Sequence, residues 1–124
     1  MNAMIIGTGV DITEVRRLRR AIEKWGDDFL NRIFTTQELE NARKRTSLYQ
    51  HLAGRFAAKE AVFKALGDMQ LNFKDIQILN DAQGKPYCCI LNGRGKKVEI
   101  QISISHVKSY AVASAIITPK SRCA

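Results

Sequence analysis

A chain of 124 residues, 45% apolar and 26% charged, can bury a core and is too apolar to stay disordered. Twenty Lys and Arg against twelve Asp and Glu leave a net charge of +8, which points to an anionic partner: nucleic acid, an acidic membrane, an acidic protein or a phosphorylated small molecule. No apolar run approaches the roughly 18 residues of a bilayer span, the first residues lack the regions of a signal peptide, and the three cysteines show no Cys-x-x-Cys spacing, so a cytoplasmic protein without a zinc site is expected.

Met4 to Val10 is a short apolar segment broken by Gly7 and Gly9, the pattern of a strand that passes close to other backbone or to a ligand. It is expected to end at Asp11. That residue reads in two ways: as a carboxylate at a strand end, or as a helix N-cap answered by Glu14 in the manner of a capping box. A helix is predicted from Thr13 to about Trp25, with Val15, Leu18, Ile22 and Trp25 on one arc. Arg16, Arg17, Arg19, Arg20 and Lys24 occupy much of the rest, opposed only by Glu14 and Glu23. A solvated face is the common reading of such charges, but five cations cannot be satisfied by two anions, and a docking surface for an acidic partner is the favoured reading. Asp27 to Phe34 continues as helix or turn. Thr36 or Thr35 then caps a short helix that ends in Arg43-Lys44-Arg45, cations suited to a helix C-terminus.

The next helix, from about Ser47 to Leu66, has no Pro, one Gly and a stop signal in Gly67-Asp68. Leu48, Leu52, Phe56, Val62, Phe63 and Leu66 form a large apolar arc. Gly54, Ala57, Ala58, Ala61 and Ala65 form a second arc of small residues, which allows close packing against another element. The helix is therefore expected to be buried over most of its circumference. Its charges sit awkwardly for that: Arg55 and Lys59 lie inside the large arc, where they either snorkel or need a partner. Glu60 and Lys64 lie on the seam, in the favourable order for a surface ion pair.

Beyond Asp68 the period changes. Ile76 to Leu79 is a strand, Asn80 to Lys85 a turn and Pro86 to Leu91 the returning strand of a hairpin. Cys88 and Cys89 are adjacent on it and point to opposite faces, while Cys123 lies in a polar tail. Asn92 to Gly95 is another turn. Val98, Ile100, Ile102 and Ile104 alternate with polar residues, and His106 falls on the apolar parity at the strand end. Tyr110 to Ile117 is the last strand. One domain over 1–124 is expected, of α+β class: an N-terminal strand, helices including one long buried central helix, then a mostly antiparallel sheet.

Four segments together carry a resemblance: Ile6-Gly7-Thr8-Gly9-Val10-Asp11-Ile12; Arg55-Phe56-Ala57-Ala58-Lys59-Glu60-Ala61 with Lys64; Gly84-Lys85-Pro86; and Ser105-His106-Val107-Lys108-Ser109-Tyr110-Ala111. In order and spacing, over nearly the whole chain, they resemble the holo-[acyl-carrier-protein] synthases, the short bacterial class of 4′-phosphopantetheinyl transferase. The resemblance implies that family's fold. It also implies Mg2+-dependent transfer of 4′-phosphopantetheine from coenzyme A to a serine of apo acyl carrier protein, with release of adenosine 3′,5′-bisphosphate, in support of fatty acid biosynthesis. It makes Asp11 and Glu60 the magnesium ligands, Lys64 a catalytic lysine near the pyrophosphate, and Arg55, His106, Lys85 and Pro86 neighbours of the bound coenzyme A. Arg17 and Arg20, with Arg16 and Lys24 on the same helix, would receive the acidic carrier protein. A homotrimer with active sites between subunits is implied as well, and a central helix buried on two sides in so short a chain agrees with it.

The chemistry fits these residue types. Magnesium takes hard oxygen ligands, often one or two carboxylates with water and substrate phosphate. The serine proton could pass to Glu60 or to a water at the metal, and a lysine can stabilise charge on the departing phosphate. A nucleic-acid-binding module using the Arg-rich first helix would explain the charge but not a carboxylate and lysine on a buried helix. It also lacks aromatic residues interleaved with basic ones on a strand. The carrier-promiscuous transferases are usually longer, with two internal copies in one chain. Neither nucleic acid nor membrane is expected as a partner.

Overall fold

The computed structural model describes residues 4–67, 70–93, 95 and 97–120. Asp68 in the helix stop, Arg94 in the second turn and Cys123 in the tail therefore lie outside the described residues. In chain order the elements are β1 (Gly7–Glu14), α1 (Val15–Ile33), α2 (Thr36–Arg43), α3 (Leu48–Leu66), a 3₁₀ turn at Phe73–Asp75, β2 (Ile76–Asn80), β3 (Pro86–Ile90), β4 (Val98–His106) and β5 (Tyr110–Pro119). β1, β5 and β4 form a three-stranded antiparallel sheet in that order, and β2 and β3 form a separate hairpin. No described helix is long and apolar enough to cross a membrane.

α3 lies between two cores. Its Ala57, Ala58, Ala61, Val62 and Ala65 pack with Ile102, Ala113, Ala115 and Ile117 of the sheet and with Ile76 and Ile78 of the hairpin. Its Leu52 and Ala53 join Val15, Leu18, Ile33, Phe34, Leu39 and Ala42 from the other helices. The two-sided burial expected from the double arc is thus achieved within one chain, which removes it as support for an oligomer. The arc of small residues faces β1. A Cβ added to Gly9 would lie 2.0 Å from the Ala61 carbonyl oxygen, and one added to Gly7 would lie 2.0 Å from that of Ala65. Only glycine lets the strand backbone rest directly on the helix backbone here.

β1 does not end at Asp11. It runs to Glu14, and the expected capping box from Asp11 does not form; Glu14 is the N-cap of α1 and caps nothing with its side chain. Tertiary pairing decides this. Asp11, Ile12, Thr13 and Glu14 stand opposite Ala113, Val112, Ala111 and Tyr110 on β5, and Val15 N–H donates to the Ser109 carbonyl at 2.9 Å. A capping box does form at Thr35, whose hydroxyl accepts from Glu38 N–H while the Glu38 carboxylate accepts from Thr35 N–H.

Trp25 is also misplaced by the periodicity: it is 59% exposed, with the Lys24 ammonium 5.0 Å from its ring. α1 breaks at the next residue, Gly26 (φ 60°, ψ −141°), and beyond the break Phe29, Leu30 and Ile33 supply the apolar face in place of Trp25.

Candidate active site

The close fit of β1 on α3 brings together carboxylates that are 49 positions apart (60 − 11) in the chain. Asp11 shares the parity of Gly7 and Gly9, so it faces the helix. Glu60 lies one residue before Ala61, against whose carbonyl Gly9 rests. The Lys64 ammonium donates to Asp11 Oδ1 at 3.3 Å and to the Val10 carbonyl at 3.0 Å. The other carboxylate oxygen of Asp11, Oδ2, accepts from the Thr13 hydroxyl at 3.0 Å. Lys64 therefore pairs across to β1, and the Glu60–Lys64 surface pair open at the sequence level is not the contact it makes. Asp11 and Glu60 share a cavity of about 390 Å3 whose remaining wall includes Leu18, Ala21, Phe29 and Phe56.

Burial raises the Glu60 pKa, and Asp11 raises it further, against the opposing effect of Lys64. Two partly buried carboxylates, one of which raises the pKa of the other, are a donor set that a hard divalent cation relieves. Among the described residues no group of three or more His, Cys, Asp or Glu comes together. Two protein oxygens with open positions suit an ion such as Mg2+, which keeps water and substrate phosphate in its shell.

Toward the N-terminal half of α3 lies a second cleft, of about 160 Å3, lined by Arg45, His51, Arg55, Asn80, Pro86 and His106 among others. Arg55 is only 5% exposed. Its Nε donates to His51 Nε2 at 3.3 Å, and its Nη2 donates to Asn80 Oδ1. Burial, with Arg45 beside it, lowers the Arg55 pKa to about 10, which leaves it charged near neutrality. Burial, then the positive charges of Arg55 and Arg45 and the neighbouring His106, push His51 down to about 4. His106 is exposed at the end of β4 and reaches the cleft beside Ile104. Lys85 is exposed in the turn and does not line the cleft; its backbone N–H and carbonyl are both taken up by Asp81.

Arg16, Arg17, Arg20 and Lys24 are all exposed on α1. Arg17 lines the carboxylate cavity, and Arg16 lines a neighbouring one with Arg19 and Lys108. Arg19 is engaged locally, 3.1 Å from Glu23 and stacked 4.8 Å from the Tyr49 ring centroid.

Sequence reasoning missed Arg45, His51 and Asn80. His51 had a usable signal, since it lies four residues before Arg55 on the same helix. Arg45 and Asn80 had none, because the helix end and the turn already accounted for them. The buried partner of Lys59 was missed too: it is Glu38 of α2, at 2.6 Å.

Residues 7–115 match the family model described as the 4′-phosphopantetheinyl transferase superfamily. A holo-[acyl-carrier-protein] synthase of Fusobacterium nucleatum is 46% identical, covering 92% of this chain and 99% of its own. One from Thermodesulfovibrio yellowstonii is 47% identical, covering 93% and 100%. The crystal structure of a holo-(acyl-carrier-protein) synthase from Bacillus anthracis in complex with CoA (3′,5′-ADP) superposes with a TM-score of 0.81. It is 35% identical and covers 94% of this chain and 99% of its own.

Proposed function

The chain belongs to the holo-[acyl-carrier-protein] synthases of the 4′-phosphopantetheinyl transferase superfamily, and we propose that it moves 4′-phosphopantetheine from coenzyme A to a serine hydroxyl of apo acyl carrier protein. The observation that carries this reading is the convergence of Asp11 and Glu60 across the β1–α3 contact, with Lys64 bonded to Asp11. The serine oxygen forms the new bond to phosphorus, the bond from that phosphorus to the bridging pyrophosphate oxygen breaks so that this oxygen leaves with adenosine 3′,5′-bisphosphate, and the hydroxyl proton passes to the Glu60 carboxylate or to water. Asp11 and Glu60 hold Mg2+, which supplies charge neutralisation and polarisation at the pyrophosphate. Lys64, fixed by the Val10 carbonyl and Asp11, presents a cation to the negative charge of the leaving group. Arg45 and Arg55 make the second cleft positive and suited to the donor, with His106 and Pro86 at its wall. The acidic acceptor docks on the cations of α1, of which Arg17 borders the carboxylate cavity. The reaction serves fatty acid biosynthesis in the cytoplasm, and residues 1–124 act as one transferase domain.

The protein works as a homotrimer with active sites between subunits. Supporting this, the outer face of the sheet carries an apolar stripe. Val10 and Ile12 of β1 are 61% and 64% exposed, and Tyr110, Val112 and Ile116 of β5 are 45%, 39% and 38% exposed on the same side. Exposed apolar residues gathered on one face in this way suit association.

The test is direct. The protein is incubated with coenzyme A, magnesium and apo carrier protein, and the carrier is weighed by mass spectrometry. An increment equal to phosphopantetheine on the acceptor serine supports the reading. An unmodified carrier, with coenzyme A intact, overturns it.

A further inference from the structure

On β1, Gly7, Gly9, Asp11 and Thr13 share the face turned to α3. Of the residues in this strand only Thr13 is buried, at 8% exposure. A buried hydroxyl needs a partner, and this one donates to Asp11 Oδ2 at 3.0 Å, two residues back on the same strand. Asp11 is thereby held at both oxygens, since Oδ1 accepts from the Lys64 ammonium at 3.3 Å. A carboxylate offers about four lone-pair sites, so each oxygen keeps one open. The donors differ in kind. Lys64 is long, its side chain is 55% exposed, and it divides itself between Asp11 and the Val10 carbonyl. Its charge is also the one offered to the leaving group, and a shift that way loosens its hold on Oδ1. Thr13 is short, buried and branched at Cβ, which restricts χ1. It is the donor that stays.

We propose that Thr13 is a positioning residue, whose hydroxyl fixes the plane of the Asp11 carboxylate for the divalent ion. This rests on the reading of Asp11 and Glu60 as ligands of that ion, and it adds a residue that lines the same cavity and acts through Asp11. A hydrogen bond to a ligating carboxylate orients it, and losing such a bond costs about 10–100-fold in metal affinity. The competing explanation is packing: a β-branched residue fits a half-buried strand. In that case the methyl group matters and the hydroxyl does not.

The experiment separates the two groups with Thr13→Val, which keeps the branched shape and loses the donor, Thr13→Ser, which keeps the donor and loses the methyl, and Thr13→Ala, which loses both. Mn2+ serves as the probe. Its binding is titrated by electron paramagnetic resonance with coenzyme A present and carrier protein absent, so affinity is read without transfer. Thr13→Val and Thr13→Ala should weaken Mn2+ at least about tenfold, whereas Thr13→Ser should stay within about threefold of the wild type. The magnesium concentration for half-maximal transfer should rise by a matching factor in Thr13→Val and Thr13→Ala, with the rate at saturating magnesium largely recovered. Melting temperature should rank the other way, with Thr13→Val closest to the wild type and Thr13→Ser and Thr13→Ala lowered by the lost methyl. Mn2+ affinity that instead follows melting temperature, or that is unchanged in all three variants, would overturn the proposal. If Thr13→Val does not fold, Thr13→Ala against Thr13→Ser still decides, since both lack the methyl and only the serine keeps the hydroxyl. A wild-type protein that binds no Mn2+ would remove both this proposal and the ligand assignment beneath it. A protein that binds Mn2+, loses it in Thr13→Val and yet leaves the carrier unmodified would sink the transferase reading and leave this one standing.

Discussion

The Lys59 ammonium is fully buried and surrounded by oxygens: Glu38 Oε1 at 2.6 Å, the Ile33 carbonyl at 2.8 Å and the Phe73 carbonyl at 2.9 Å. Glu38 in turn accepts from Thr35 N–H at 2.8 Å and Ile78 N–H at 2.7 Å. The pair joins α1, α2, α3, the 3₁₀ turn and β2. Removing one partner leaves an uncompensated buried charge, so Glu38→Leu should cost about 3–5 kcal/mol in urea unfolding. Glu38→Leu with Lys59→Met removes both charges and should cost much less. A double variant that loses as much as Glu38→Leu and Lys59→Met combined would show that the two charges are not coupled. At the proposed metal site, Glu60→Gln and Asp11→Asn keep shape but remove a carboxylate charge. Each should abolish most transfer without lowering the melting temperature; a near-normal rate at saturating magnesium would take that residue out of the site. His51 gives a pH signature. Its folded pKa, about 4, lies below the ordinary 6.5 because of burial and its cationic neighbours Arg55, Arg45 and His106. Between those values the unfolded chain binds the proton and the folded chain does not. This residue therefore lowers stability progressively as pH falls from 6.5 to about 4. His51→Leu should flatten that part of the stability profile, and an unchanged acid slope would contradict the assignment.

At the scale of elements, the site depends on how closely β1 lies on α3. Gly9→Ala places a methyl group 2.0 Å from the Ala61 carbonyl oxygen, so the strand must lift from the helix. Overpacking of this kind costs about 1–3 kcal/mol, and the same movement carries Asp11 away from Glu60. Gly26→Ala serves as the comparison. Its Cβ meets nothing within 4 Å, but φ is 60° there, so it strains the backbone of α1 without pressing on the site. Both variants should lower the melting temperature, whereas only Gly9→Ala should also raise the magnesium concentration needed for half-maximal transfer. A parallel rise in Gly26→Ala would mean that lost stability alone explains the effect.

For the molecule as a whole, charge and apolar surface are separated. Arg17 and Arg20 are exposed on α1, away from the buried Val15 and Leu18. Exposed ion pairs contribute only about 0.2–1 kcal/mol each, so one Arg→Ala should do little. Arg17→Glu with Arg20→Glu replaces attraction by repulsion and should raise KM for the carrier protein at least about tenfold. Added salt should narrow that difference. A rise in KM for coenzyme A instead would assign α1 to the donor. The apolar stripe of β1 and β5 carries the other whole-molecule test. Val10→Lys with Ile12→Lys should convert the proposed trimer into monomers in sedimentation equilibrium, with a loss of transfer if sites are shared. An active wild-type protein that sediments as a monomer would count decisively against shared sites.

Local chemistry and chain-wide pattern made much of this molecule legible. The apolar and small-residue arcs of α3, the alternation of β4 and the hairpin turn after Asn80 each follow from side-chain period and turn preference, which neighbours in space do not alter. Gly7 and Gly9 announced a close approach because nothing else explains two glycines in an apolar strand. Asp11, Glu60 and Lys64 were legible as a set because their motifs match a family. The tertiary structure decided wherever two local choices were comparable in energy. Asp11-Ile12-Thr13-Glu14 could cap a helix or extend a strand, and β5 settled it by offering a full ladder of backbone partners. Lys59 could snorkel or pair, and Glu38, arriving from another helix, made burial possible. Lys64 could meet Glu60 or Asp11, and the resting of β1 on α3 chose Asp11. The cleft of Arg45, His51, Arg55, Asn80 and His106 exists only after folding, because its residues come from the segments around α3, β2 and β4, and no local period relates them.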